Sequence, residues 1–340
     1  MTWRYGQTSV THALPLGVAS RAAVGDTVRA GDAVATGTTQ GSPIRVGGAR
    51  ALGLEAADID RVMRVPIGAE VTRGTVLART GRRFARAAIA PVDGRLLHRT
   101  ASGDLFVAPV TGRWSVRSAM DGVVVRSDDG AVTVEGDAWA LGGIAGYGPD
   151  AIGDLHVGVD APTDELAPRR IDVGLRDRIV VAGARVAAEA ITRAHACGVS
   201  GLVAGGVPAG GLRVVYGDGV GAHGQGAVDD RPTVLCLLGF GSAPLPPAVY
   251  LGLVALSGSR AAIHTASARL LVFAGADVPV GSGDAPELVL AGDFGAVRPF
   301  EGASSFAGPI QFPSEVVADA IDTGAGHVPA ANVLPIDAPR

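Results

Sequence analysis

The residue types that most often carry out chemistry are sparse in this chain and form no catalytic motif. The seven histidines are His12, His98, His156, His195, His223, His264 and His327. No two of them have the close spacing of a metal-binding pair on one strand or helix, and no G-x-S-x-G nucleophile elbow is present. The adjacent carboxylates Asp128-Asp129 and Asp229-Asp230 predict solvated turns, because neighbouring residues of a strand point to opposite faces. The sequence therefore predicts no catalytic residue and no metal site, and leaves open a constellation built from distant residues.

The basic residues and the cysteines exclude further chemistries. All 29 basic residues are arginines, so the chain can carry no biotinyl-lysine, lipoyl-lysine, lysine Schiff base or Walker-A lysine. Cys197 and Cys236 each lie in an apolar segment, which predicts buried thiols and not a disulfide or a zinc site. The N-terminal residues lack the charged and then apolar pattern of a signal peptide. We therefore expect a cytoplasmic protein without a resident cofactor.

One glycine-containing turn is the best candidate for contact with a ligand. Gly239, Gly241 and Ser242 follow an apolar run and precede Pro246-Pro247, a favoured helix start. Backbone N–H groups at the start of a helix bind anions. The turn is either purely structural or a site for phosphate, a flavin or a nucleotide. The turn at Gly183 lacks the later glycines of the dinucleotide fingerprint.

The densest basic run is a candidate docking site for a partner. Its members are Arg79, Arg82, Arg83 and Arg86. Residues 1–126 carry 17 arginines and 9 acidic residues, whereas residues 271–340 carry 2 arginines and 9 acidic residues. Arginine forks suit carboxylates and phosphates, so the run predicts an acidic protein, RNA or anionic lipid as partner, or a solvated loop. Aromatic residues make up only 4% of the chain, which disfavours base stacking and hence nucleic acid.

The elements that must position these residues are short strands up to about residue 160. Residues 23–35 and 65–78 share the pattern G-x-x-V-x-x-G-x-x-[VL]-A. Two other segments place a turn dipeptide before a strand, at Asp93-Gly94 and at Asp121-Gly122. Short strands separated by such turns are typical of barrels and sandwiches.

These segments resemble the barrel-sandwich hybrid fold of biotinyl and lipoyl carrier domains over residues 14–135. Carrier domains hold their modified lysine on a hairpin between two half-motifs, so the resemblance implies the fold without carriage. The order of a barrel followed by an α/β region is similar to the N-terminal region of RnfC and of the corresponding quinone-reductase protein. The iron–sulfur type of these proteins requires clustered cysteines, which this chain lacks.

Residues 170–275 predict a small α/β domain with a mainly parallel sheet. Apolar strands at 178–183, 200–206, 233–238 and 260–264 alternate with helices at 186–197 and 246–256. The glycine-rich segment 205–227 predicts a mobile loop. The uncharged stretch 232–259 has the length of a membrane span, but its prolines and glycines predict a strand, a turn and a short helix.

The C-terminal residues predict a third unit, and the three units together suggest a function. Residues 292–297 resemble the turn of KOW-type small β-barrels, with 328–333 as a closing strand. We expect a multidomain β and α/β protein: a barrel-sandwich hybrid at 1–160, a Rossmann-like domain at 170–275 and a KOW-like barrel at 276–340. Its expected role is a non-catalytic structural or adaptor subunit that binds other protein subunits. The alternatives are an anionic-ligand, flavin or nucleotide-binding protein of a redox complex, or an RNA-associated protein; membrane contact would be peripheral.

Overall fold

The computed structural model describes residues 3–81, 85–221, 224–225 and 230–278, together with the backbone of five short strands between residues 294 and 336. The described part is mostly β-structure arranged in several sheets, and the largest sheet is mixed. A helix that is long and apolar enough to cross a bilayer is not found within these residues.

The N-terminal half contains fourteen strands and two short helices. They are β1 (Arg4–Ala13), β2 (Val18–Arg21), β3 (Thr27–Val28), β4 (Ala33–Gln40), β5 (Ile44–Val46), α1 (Ala49–Leu52), α2 (Ile59–Val62), β6 (Glu70–Val71), β7 (Val76–Thr80), β8 (Arg86–Ile89), β9 (Gly94–Arg99), β10 (Leu105–Arg117), β11 (Gly122–Ser127), β12 (Ala131–Gly142), β13 (Ala145–Tyr147) and β14 (Ala151–Val157).

The second half contains the longer helices and the remaining strands. They are β15 (Arg178–Val181), α3 (Ala188–Cys197), β16 (Gly201–Val207), α4 (Ala209–Tyr216), β17 (Val234–Phe240), α5 (Pro247–Ala255), β18 (Arg260–His264), β19 (Arg269–Val272), β20 (Phe294–Val297), β21 (Ile310–Gln311), β22 (Ala320–Thr323), β23 (Gly326–Pro329) and β24 (Val333–Ile336).

The repeated sequence pattern corresponds to two hairpins of the same local geometry. Gly31 and Gly74 both adopt positive φ angles, +99° and +90°, which a residue with a side chain rarely adopts. The valine three residues earlier, Val28 or Val71, is buried in both hairpins. Each hairpin therefore turns at the same glycine and packs the same valine into its core.

Each hairpin is closed by the Asp-Gly dipeptide of its own partner strand. Asp121 Oδ1 accepts a hydrogen bond from the N–H of Ala30 at 2.6 Å, and Asp93 Oδ1 accepts one from the N–H of Arg73, also at 2.6 Å. The strands that follow pair equivalently, β11 with β3 and β9 with β6. Because β6 and β9 both lie between β3 and β11 in the chain, the second repeat is inserted within the first.

Removing either aspartate is expected to cost about the same stability, roughly 1–2 kcal/mol, because each replacement leaves one hydrogen bond to a carboxylate unmade. Urea unfolding of Asp121→Ala and Asp93→Ala would measure both values. Asp129→Ala is the control, because Asp129 is an exposed partner of Arg21 and should change stability by less than about 0.5 kcal/mol. A difference above about 1 kcal/mol between the two repeat variants would contradict their equivalence.

Four parallel strands form the centre of the large sheet, in the spatial order β17, β16, β15, β14. Successive residues of β15 face opposite cores: Val180 packs with α3 and α4, whereas Ile179 and Val181 pack with α5. The predicted strands and helices of this region are confirmed within a few residues, including the strand and short helix expected from 232–259. Helices therefore cover both faces of the parallel strands, as the sequence predicts.

The predicted mobile loop at 205–227 is wrong in its first half. Residues 205–207 complete β16, and α4 buries Leu212, Val215 and Tyr216 against the sheet. The glycines at 210 and 211 masked the helical pattern, since glycine is a poor helix former. Burial of the apolar residues on one face of α4 outweighs that cost.

The large sheet continues from the parallel strands into the N-terminal half. β18 pairs antiparallel with β14, β19 pairs with both β18 and β12, and β12 pairs with β1 and β11. One sheet thus contains strands from both sides of the predicted boundary at 160–170, and those domain limits stay a prediction. A closed barrel is not formed by the described strands.

Most of the predicted C-terminal unit lies outside the described residues. Within it, β20 pairs with β21 and β24, and β22 pairs with β23. β20 coincides with the end of the predicted 292–297 turn, while residues 292–293 and 330–332 lie outside the described part. The KOW-like barrel stays a prediction.

Candidate functional site

The predicted anion-binding turn uses its backbone donors within the protein. Gly239 lies in β17, and Gly241 and Ser242 follow it. The N–H of Gly241 donates to the carbonyl of Val207 at 2.9 Å, and the N–H of Ala243 donates to the carbonyl of Ala184 at 3.0 Å. Helix α5 begins only at Pro247, so its N-terminus is not at this turn. Binding of an anion by Gly239, Gly241 and Ser242 stays a prediction.

Loops of the chain itself close the carboxyl edge of the parallel strands, where α/β folds usually bind ligands. The N–H of Leu245 donates to Pro162 O at 3.1 Å, and the N–H of Ala184 donates to Asp164 O at 2.7 Å. A Cβ atom on Gly205 would overlap the carbonyl oxygen of Ala243. The edge is therefore packed backbone against backbone.

Two members of the predicted docking run lie on one hairpin. Arg79 is exposed on β7, and Arg86 is exposed on β8, which pairs with β7. Arg82 and Arg83 lie outside the described residues. The hairpin therefore brings the two described arginines of the run to one surface.

Three ionisable side chains from distant parts of the sequence meet in the large sheet. His12 lies on β1, Asp150 directly precedes β14, and His264 ends β18. Asp150 Oδ2 lies 3.6 Å from His12 Nδ1 and 3.9 Å from His264 Nε2. The two rings stand edge to face with their centroids 5.3 Å apart. Both imidazoles are buried, and the carboxylate is a quarter exposed.

The carboxylate of Asp150 is oriented by the residue after His264. The N–H and the hydroxyl of Thr265 donate to Asp150 Oδ1 at 2.8 and 3.0 Å. Burial alone would raise the pKa of Asp150, but hydrogen bonds and the facing imidazoles outweigh burial and lower that pKa. Asp150 is therefore an anion whose second oxygen points at both histidines.

The position of the proton on His12 follows from its backbone partner. The N–H of Ala119 donates to His12 Nε2 at 3.2 Å. A backbone N–H can only donate, so Nε2 must carry a lone pair and the proton of the neutral ring is on Nδ1. His12 thus directs its N–H toward Asp150.

Two neighbours set the proton of His264 in the same way. Arg269 Nε donates to Ser267 Oγ at 2.8 Å, and Ser267 Oγ lies 2.7 Å from His264 Nδ1. The serine hydroxyl donates to Nδ1, which leaves the ring proton on Nε2, facing Asp150. Burial lowers the pKa of His264 to about 4, so this ring is neutral near pH 7.

The cluster does not fit a metal ion, although its donor set is one that zinc uses. One ligand atom from each of the three residues lies within 4.8 Å of the others. A metal on Nδ1 of His12 would require the ring proton on Nε2, where the N–H of Ala119 points. The arrangement is a carboxylate held between two imidazole N–H groups.

Zinc is accordingly expected to leave the melting temperature unchanged, because binding would break the bond from Ala119 to His12. Differential scanning calorimetry with zinc, compared with EDTA, would test this. A rise in melting temperature that His12→Gln abolishes would contradict it.

Acid is expected to destabilise the fold through His264. The folded-state pKa of about 4 lies below the ordinary value of 6.5, so the unfolded chain binds the extra proton first. Stability is complete above about pH 6.5 and falls as the pH is lowered toward 4, by about 3 kcal/mol for this group. Urea unfolding across that range would measure the loss. His264→Gln should flatten the slope and exposed His98→Gln should not; a flat wild-type profile would contradict the assignment.

Sequence reasoning missed this cluster because its members are far apart along the chain. Each of the three residues has an unremarkable neighbourhood in the sequence, and only strand pairing in the large sheet brings them together. Comparison of the chain with protein-family models, with curated proteins and with solved structures finds no match, so the assignment of function depends on geometry alone.

Proposed function

We propose that this protein is a non-catalytic structural or adaptor subunit that binds an acidic surface of a protein partner through its arginine hairpin, defined as Arg79 on β7 and Arg86 on β8. The closed carboxyl edge supports a structural role, because the position where an α/β fold usually holds a substrate is filled by the chain's own loops.

The observation that carries the proposal is an excess of exposed arginine around this hairpin. Most acidic side chains of residues 44–107 already pair within that segment, in the ion pairs Arg45–Asp104, Arg61–Asp58, Arg95–Glu70 and Arg99–Asp60. Among the described side chains, no carboxylate lies within ion-pair distance of Arg79 or Arg86, and both are exposed. Desolvated arginine forks bind carboxylates bidentately, so an acidic partner would complete these charges.

The experiment is native mass spectrometry of the full chain isolated gently from its source. We expect a stoichiometric complex with another protein for the wild type and loss of that protein for Arg79→Glu/Arg86→Glu. The matched control is Arg29→Glu/Arg113→Glu, which makes the same change of net charge at two exposed sites elsewhere. Free wild-type protein, or a partner retained equally by both variants, would overturn the proposal.

We also propose that residues 1–160 form a barrel-sandwich hybrid. The inserted repeat with its equivalent Asp–amide bonds supports a fold built from two related halves. The absence of lysine would make it a hybrid used for assembly and not for carriage.

A second candidate function is the binding of an anionic ligand, and Arg185 favours it. This residue lies just after β15 and pairs with Gly206 at the carboxyl edge. Its Nε atom is enclosed without a hydrogen bond to any described group, and Glu165 Oε1 is 3.9 Å away. A rise in melting temperature with inorganic phosphate or flavin mononucleotide that Arg185→Gln abolishes would support this candidate. No rise at saturating ligand would eliminate it.

A further inference from the structure

The His–Asp–His seam, defined as His12, Asp150, His264 and the amide of Ala119, joins two parts of the molecule. Ala119 follows Ser118, which exchanges backbone hydrogen bonds with Gly31 and Asp32 of the first repeat hairpin. Asp150 and His264 belong to the strands that flank the parallel part of the sheet. The seam is therefore a polar contact between the first repeat and the α/β region, formed inside the sheet.

We propose that the seam is a proton-operated latch: it is closed when both imidazoles are neutral, and proton uptake opens it and releases β1 and the segment around Ala119 from the α/β region. This device is independent of the proposed partner binding.

The latch is sensitive to protons because each ring has a fixed environment. A second proton on His12 would sit on Nε2 and face the N–H of Ala119, so two donors would oppose each other. A second proton on His264 would sit on Nδ1, beside Ser267 and the cationic side chain of Arg269. Neither protonated ring can keep the hydrogen bonds that close the seam.

The charges that face His264 come from each element packed against it. Asp150, which precedes β14, and the carbonyl of Thr11 on β1 favour the protonated ring. Burial, His12 on β1 and Arg269 on β19 disfavour it, and burial is the largest contribution. The balance lowers the pKa of His264 in the closed state, so an opened state, in which the ring is hydrated, takes up the proton more readily.

The size of the effect follows from linkage. One proton taken up on opening makes opening about tenfold more favourable for each pH unit below about 6.5. Between about pH 6.5 and about pH 5, amide protection in the opened elements should fall by about thirtyfold beyond the intrinsic change in exchange rate.

The experiment is hydrogen exchange of the full chain measured by mass spectrometry, with labelling times corrected for pH. We expect the loss of protection in β1 and in residues 118–127, while β16 and β17 keep theirs. His12→Gln/His264→Gln should remove the pH dependence, because glutamine at 12 still accepts from Ala119, glutamine at 264 still donates to Asp150, and neither titrates. His98→Gln is the matched control. Equal protection of β1 at both pH values in the wild type, or the same loss in the double glutamine variant, would overturn the proposal.

A second measurement uses the wild-type chain, in case the double variant does not fold. Nitrogen-15 NMR of the imidazoles reports which ring nitrogen carries the proton. We expect His12 protonated on Nδ1 and His264 on Nε2 near neutral pH. A proton on Nε2 of His12 would overturn the latch, because Nε2 would then no longer accept from Ala119.

Discussion

Gly205→Ala is expected to destabilise the protein by about 3 kcal/mol or more, or to leave it insoluble. The new Cβ would overlap the carbonyl oxygen of Ala243 and press on that of Ala184, so it would push the 241–245 turn off the end of β16. Backbone atoms cannot move aside as the end of a flexible side chain can. Urea unfolding followed by circular dichroism would measure the loss.

The control for this prediction is Gly210→Ala in α4. A Cβ at Gly210 meets no atom within 4 Å, and its φ is not positive. Alanine is also the better helix former, so this variant should be neutral or more stable by up to about 1 kcal/mol. If Gly205→Ala lost less than about 1 kcal/mol, the carboxyl edge would not be closed, and the structural role proposed for this protein would lose its support.

Asp150→Ala is expected to cost about 3 kcal/mol at neutral pH. The replacement removes the acceptor of two hydrogen bonds from Thr265 and leaves the N–H groups of two buried imidazoles without their carboxylate. The same variant should also lose protection of β1 against hydrogen exchange at neutral pH, since the seam cannot close. Equilibrium unfolding and hydrogen exchange would measure the two effects.

Asp154→Ala is the matched control, four positions further along in β14. Its side chain is exposed, so a change within about 0.5 kcal/mol is expected. An Asp150→Ala variant as stable as this control would show that the cluster contributes nothing to the fold.

The sequence predicted the local elements of the α/β region well, because each is bounded by residues with a direct conformational effect. Gly198 ends α3 in the left-handed conformation, and Pro247 stands at the start of α5. The repeated turns at Gly31 and Gly74 were predicted from the same kind of signal. By contrast, α4 was missed, since its stability comes from packing that a glycine-containing segment does not reveal.

The candidate site could not be predicted from the sequence. His12 is placed by the pairing of β1 with β12, and His264 by the pairing of β18 with β19 and β14. These contacts join residues far apart in the chain, and no local pattern specifies them. The proton positions follow only from the neighbours of each ring, Ala119 for His12 and Ser267 for His264.

The insertion of one repeat inside the other imposes an order on synthesis. The first hairpin leaves the ribosome before the second repeat, but its partner strand β11 emerges only after the second repeat is complete. β1 waits longer still, because its partner β12 lies beyond β11. The nascent chain can therefore finish the inner repeat while the outer one still exposes unpaired strands. This N-terminal segment is where a ribosome-associated chaperone would be needed most.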